Sequence, residues 1–242
     1  MNSKMLVINL KEASDQEYAL VYALTARIRS EQLPDDPPYP LEAFIQRMRS
    51  LPDRLMTRGA MFLDEKEERA LAFAILQVEQ TTENQHSAVF DISVLPEYRR
   101  QGLARNILRQ IVDWAVAANR RLLMSETFER IPAGEAFLAR VGGRKGLAIH
   151  TNQLDLDELN RGILEAWIDQ AQERASGFSL VFLQGAYPDE RLGEIARLSA
   201  VMNQQPVDCL DVDDRQFTPE FLRDVERAMF ADGSERWTCI AV

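Results

Sequence analysis

Residues 91–105 read Asp91-Ile92-Ser93-Val94-Leu95-Pro96-Glu97-Tyr98-Arg99-Arg100-Gln101-Gly102-Leu103-Ala104-Arg105, and this stretch decides the fold. An apolar run ends at a proline, which has no N–H to donate and stops a strand. A short loop rich in arginine and holding one glycine then opens directly into a helix. The first turn of a helix presents unpaired backbone N–H groups, which suits it to anions such as phosphates. Gly102 has no Cβ, so an anion can approach the backbone closely, and small Ala104 allows the same on the first helical turn. Arg99, Arg100, Arg105 and Arg109 follow one another with no acid between them. The helix dipole is worth about 0.3–1 kcal/mol to an exposed charge. Hydrogen bonds to a charged group contribute about 1.5–3 kcal/mol each. Aligned N–H groups should therefore dominate, with the arginines steering and clamping outer phosphates. The other reading of the stretch, an ordinary turn with a solvated basic face, carries less weight because the loop lies between a proline-ended strand and a helix.

Working outward, Ala104, Ile107, Leu108, Ile111, Val112 and Ala115 recur at the spacing of a buried helical face. A strand over 122–127, a helix over 133–141 and a strand over 145–156 are expected next. Upstream, a short strand at 6–8 precedes a helix over 17–31. The proline-rich segment 33–40 cannot be helical, and a second helix covers 41–50. Apolar runs at 55–63 and 70–78, split by the polar cluster 64–69, predict a hairpin. A further strand covers 87–95. The expectation is a mixed α/β domain over 1–156, a linker helix within 157–176, and a different unit over 177–242. That last unit resembles the beginning: 177–182 repeats the opening strand, 195–198 repeats the 25–28 pattern, and 217–222 resembles 39–44. It stops before any equivalent of the arginine loop.

The chain has 242 residues, 46% hydrophobic and 27% charged, enough to bury a sizeable core. No apolar run is long enough for a membrane span or a secretory signal core. Two cysteines, Cys209 and Cys239, make no disulfide framework and suggest a reducing cytoplasm. Residues 1–156 carry 20 basic and 21 acidic groups, and residues 157–242 carry 8 and 17, so nearly all of the net charge of −10 lies in the last third. Such an acidic chain lacks the field that nucleic-acid binding needs. His86 and His150 have no metal-ligand spacing and no metal is expected. No G-x-S-x-G elbow, P-loop or G-x-G-x-x-G occurs. Trp114 and Trp167 read as packing residues.

The run from Val94 to Ala104 resembles the acyl-CoA signature of the GNAT superfamily of N-acyltransferases, Q/R-x-x-G-x-G/A, and the element order over 1–156 follows it. With the partial repeat, the chain resembles tandem GNAT proteins. The resemblance implies acetyl-CoA as cosubstrate, with Arg99, Arg100, Gln101, Gly102, Leu103 and Ala104 cradling its pyrophosphate. It also implies that the backbone of Ile92, Ser93 and Val94 pairs with pantetheine as an added strand. The chain departs from the family where a tyrosine often serves as acid to the thiolate. Leu138 stands there, and Ile131 stands at a common asparagine position. Neither donates a proton, and Phe137 and Leu138 read as core packing. A thiol with a pKa near ~8.5 leaves without much help.

A base is needed more, because an ammonium must lose a proton before attack. Asp91, beside the pantetheine-pairing strand, and Glu126, at the end of the next strand, are the carboxylates best placed. Asp35 and Asp36, in the loop between the first two helices, would favour a cationic amine. Two functions follow: an N-acetyltransferase acting on a small-molecule primary amine, or a CoA-binding module that senses without turnover. No nucleic acid or membrane partner is expected. The apolar strands 178–182 and 237–242 should either complete the first sheet or pair across a homodimer.

Overall fold

A computed structural model describes residues 4–64, 66, 68–150, 152–231 and 233–242. Helix α1 (Asp15–Gln32) begins at a capping box, in which the Ser14 side chain accepts from the Glu17 N–H and Glu17 accepts from the Ser14 N–H. Helix α2 (Leu41–Arg49) starts after Pro40. Strands β1 (Lys4–Ile8), β2 (Leu55–Leu63), β3 (Ala70–Glu79) and β4 (Ser87–Val94) form an antiparallel meander in that order, and β5 (Leu122–Met124) adds to β4 in parallel. The β2–β3 hairpin forms as its two apolar runs dictate. Glu65 and Glu67 in its turn lie outside the described residues.

Both faces of this sheet are covered. On one, α1 sets Val21, Leu24 and Ile28 against Met61, Phe73 and Leu95. On the other, α3 (Leu103–Ala117) sets Ile107, Ile111, Trp114 and Ala115 against Leu71, Leu76 and Phe90. Trp114 takes the buried place expected of Val112, which is 41% exposed. The two positions are two residues apart, so they cannot share one narrow helical face. Helix α4 (Pro132–Arg140) then follows, with proline at its start where the missing N–H costs nothing.

The pairing of β4 with its neighbours is unequal, and this makes the site. β3 pairs with β4 out to Ala72↔Val94, whereas β5 pairs only over Ser87–Val89. Beyond Val89 the two parallel strands part, and the β5-facing edge of β4 has no partner strand among the described residues.

Downstream, the structure departs from the sequence expectations. Residues 145–156 form no strand among those described, and a short 3₁₀ turn at Leu156–Glu158 leads to helix α5 (Arg161–Arg174). Leu147 is half-buried, but Ile149, Leu154 and Leu156 are all exposed. Trp167, expected to pack, is also exposed on α5. Strand β6 (Leu180–Gln184), helices α6 (Leu192–Ser199) and α7 (Pro219–Phe230), and strand β7 (Trp237–Ala241) repeat the order of the opening elements. The alternative in which β6 completes the first sheet is not what forms. β6 pairs antiparallel with β7, from Leu180↔Ala241 to Gln184↔Trp237. Leu183 and Ile240 on one face of this pair pack against Leu192, Ile195, Ala196 and Leu222, a small core of its own.

Candidate active site

The parting of β4 from β5 opens a cleft of about 380 Å³. Its floor is β4 from Phe90 to Val94. One wall is the loop and first turn of α3, the other is α4 with the residues that follow β5, and Ile28 and Gln32 of α1 close one end.

Gly102 is the N-cap of α3 and adopts φ +86°, a left-handed conformation that L side chains rarely take. Nothing lies within 4 Å of where its Cβ would be, so the backbone there faces open space. Arg100, two residues earlier, also has positive φ, at 66°. The loop thus turns its backbone toward the cleft beside the first-turn N–H groups of Leu103, Ala104 and Arg105, which have no intrahelical acceptors. Arg100 and Arg105 line the cleft, with no ion pair seen among the described residues. Arg109 is exposed and does not line it, and neither does Gln101, whose amide instead donates to the Glu97 carbonyl at 3.2 Å. Arg99 lines the cleft, but its guanidinium is engaged by Glu31 and the Val94 carbonyl.

Ile92, Ser93 and Val94 lie along the open edge and line the cleft. Asp91 and Glu126 both line the cleft, one on β4 and one just beyond β5. Asp91 is open to the cleft but ringed by its walls. That loss of bulk water raises its pKa above the ordinary carboxylate value, the Ser93 hydroxyl donating at 3.1 Å opposes the rise, and the charge of Glu126 adds to it.

Leu138 and Ile131 line the cleft where a proton donor was sought. Leu138 also packs against the α3 core, as its apolar character suggested. Asp35 and Asp36 are elsewhere. Asp36 is held by Arg29 at 2.6 Å and by the Gln153 amide at 2.9 Å, and Asp35 faces solvent. Sequence reasoning missed Gln32, Ser125, Thr127 and Arg140, which also line the cleft. One signal was available: Gly134, early in α4, is where a Cβ would collide with the Thr127 hydroxyl, so a glycine in a helix marked a close approach.

The sheet is mixed and splayed between its fourth and fifth strands, with a glycine turn feeding a helix N-terminus at the opening. The chain belongs to the Acetyltransferase (GNAT) family, whose model matches residues 20–142, just over half of it. Over 100% of its length it is similar to a tandem GNAT protein from the clavulanic acid biosynthesis pathway, solved without AcCoA, with TM-score 0.72, 18% identity and 70% of that chain covered. A likeness over 64% of the chain is to aminoglycoside N-acetyltransferase AAC(6′)-Iy in complex with CoA, with TM-score 0.45, 17% identity and 97% of that chain covered. Another, over 63%, is to aminoglycoside 6′-N-acetyltransferase AAC(6′)-Ih from Acinetobacter baumannii, with TM-score 0.44, 19% identity and 99% covered. No curated protein matches the chain.

Proposed function

We propose that the chain transfers an acetyl group from acetyl-CoA to a primary amine of a small molecule by direct attack. The observation that carries this reading is the meeting of an unpaired strand edge, an open glycine turn at a helix N-terminus and two carboxylates in one cleft. The residues present fit CoA. The free edge of β4 at Ile92, Ser93 and Val94 offers backbone groups to pantetheine. The N–H groups from Gly102 to Ala104, with Arg100 and Arg105, suit a pyrophosphate. Acetyl-CoA, when bound, supplies a thioester whose sulfur is a competent leaving group.

Asp91 and Glu126 take the remaining task, accepting the proton of the incoming ammonium directly or through water. They also favour a cationic amine electrostatically. Leu138 and Ile131 make an apolar wall, so no side chain at those positions protonates the departing thiolate. That wall is also what favours the second reading, a CoA-binding module without turnover. Free-thiol release from acetyl-CoA over a panel of amines separates the two.

The binding claim has its own test. Calorimetry should show CoA binding to the wild type and none to Gly102→Val, whose melting curve checks that it folds. A wild type that binds no CoA at millimolar concentration sinks the reading.

The remaining parts of the proposal concern the whole chain. It divides into a CoA-using domain at 1–156, a linker at 157–176 and a partial second unit at 177–242. It acts in the cytoplasm, without a metal or nucleic-acid partner. No helix among the described residues is long and apolar enough to cross a membrane. Homodimer formation is supported by the outward face of β6–β7, where Leu180, Phe182 and Trp237 are each at least 62% exposed.

A further inference from the structure

Arg99 opens the glycine loop, and the sequence pattern assigns its guanidinium to a phosphate. The structure gives that guanidinium other partners. Nη1 and Nη2 donate to the two carboxylate oxygens of Glu31 at 2.8 and 2.5 Å, a fork-to-fork pair. Nε donates to the Val94 carbonyl at 3.1 Å. Each nitrogen of the group therefore has a partner within the chain, and three of its five N–H bonds are used. The side chains are only 23% and 29% exposed, so this is not a loose surface contact.

The location of the partners matters as much as the bonds. Glu31 sits in the last turn of α1, where the negative end of the helix dipole disfavours a carboxylate unless a cation answers it. Ile28 and Gln32, on that same turn of α1, close one end of the cleft. Val94 is the last residue of β4, at the tip of the unpaired edge. One arginine thus ties together the end wall, the strand edge and the start of the anion loop.

We propose that Arg99 and Glu31 form a positioning strut, and that phosphate contact falls to the loop N–H groups with Arg100 and Arg105. The inference rests on the reading of the cleft as an acyl-CoA site, and it reverses the role expected of Arg99. Neither member of the strut touches the reacting atoms. Both act by holding the end of β4 and the loop in register with α1.

The sign of one substitution separates the strut from a phosphate ligand. If Arg99 served a phosphate, Glu31 would compete for it, and Glu31→Gln would leave CoA affinity unchanged or tighten it. If Arg99 is a strut, Glu31→Gln weakens binding as Arg99→Ala does. The experiment uses the full chain with Glu31→Gln, Arg99→Ala, the double variant and Arg100→Ala. It measures CoA affinity by calorimetry and kcat/KM with acetyl-CoA and with S-acetylpantetheine, which has no pyrophosphate.

Glu31→Gln and Arg99→Ala should each lower kcat/KM about tenfold with both thioesters, and the double variant should be no worse than either. Arg100→Ala should lose only with acetyl-CoA. A Glu31→Gln variant that binds CoA as tightly as the wild type, or an Arg99→Ala loss confined to acetyl-CoA, overturns the strut. Should Arg99→Ala fail to fold, Arg99→Lys carries the same test, because it keeps the charge and loses the fork. A wild type that binds no CoA would instead overturn the acyl-CoA reading itself, which keeps the two failures apart.

Discussion

At the scale of single residues, Asp91 is the most informative. Its pKa is raised, first by the loss of bulk water between the cleft walls and then, against the Ser93 hydroxyl, by Glu126. A base must be ionised to act, so kcat should rise with pH through a value above the ordinary carboxylate range. Asp91→Asn and Glu126→Gln should lower kcat about 100-fold or more while changing CoA affinity little. If both retain full activity at neutral pH, the base is another group reached through water. Stability carries a matching sign. The folded state holds the Asp91 proton more tightly than the unfolded chain does, so stability falls as pH rises from the unfolded value through the raised folded one. Asp91→Asn removes that loss. Thermal unfolding should show the variant more stable than wild type at neutral pH, with the gap closing below about pH 4. A residue that costs stability and lines a cleft has the character of a functional group.

At the scale of elements, α3 joins the core to the site. Ile107 and Ile111 are fully buried against β3 and β4, and the same helix presents its first-turn N–H groups to the cleft. Ile111→Ala should cost about 2–5 kcal/mol, a large share of the ~5–15 kcal/mol that holds a typical domain. Val112→Ala, one residue on and half out of the core, should change stability by less than about 1 kcal/mol. Urea titration of the two checks the contrast. This helix was legible because its apolar spacing matches one buried stripe. Segment 145–156 was expected to be a strand because of its apolar residues, but among the described residues it pairs with no strand of either sheet. β5 was expected to run to 127 but ends at Met124. The extra residues, Ser125, Glu126 and Thr127, turn away from β4 and become the wall of the cleft.

At the scale of the whole molecule, the C-terminal third is fastened to the first sheet by polar groups rather than by a shared core. Arg215 grips Glu79 through both nitrogens, at 2.8 and 2.9 Å, and Arg54 reaches both Glu79 and Asp224. Both arginines lie over the ring of Phe221, at 5.2 and 4.8 Å from its centroid. Asn84 and Asp213 exchange hydrogen bonds nearby. Burial works to raise the Glu79 pKa, but the hydrogen bonds and charges of Arg215 and Arg54 outweigh it and hold it below the ordinary value. The contribution of this latch is therefore complete at neutral pH and is lost as pH falls through the lowered value. The C-terminal unit has a β–α–α–β start and no glycine loop feeding a helix among its described residues. Calorimetry should accordingly give one CoA per chain, and a stoichiometry of two would refute this. Light scattering should give a dimer mass for the wild type and a monomer for Leu180→Ser/Phe182→Ser, because the outward face of β6–β7 is the apolar surface left to cover.

The sequence by itself determined the mixed α/β class, the α3 stripe, the glycine turn at its N-cap and the repeated order of elements. Each depends on local rules: helical periodicity, a positive φ that favours glycine, and the missing N–H of proline. It also brought Asp91 and the 92–94 edge to notice, because they adjoin the loop in the chain. Only the tertiary structure decided which groups meet across the cleft. Arg99 and Glu31 are separated by 68 residues, and nothing local says that the arginine beside the glycine turn belongs to the end of α1. The same holds for β6, whose hydrogen-bonding edges could have served either sheet until Ile240 and Leu183 found a core between α6 and α7. Backbone pairing is nearly indifferent to sequence, so the partner of a strand or of a charged side chain is settled by what the rest of the fold brings within reach.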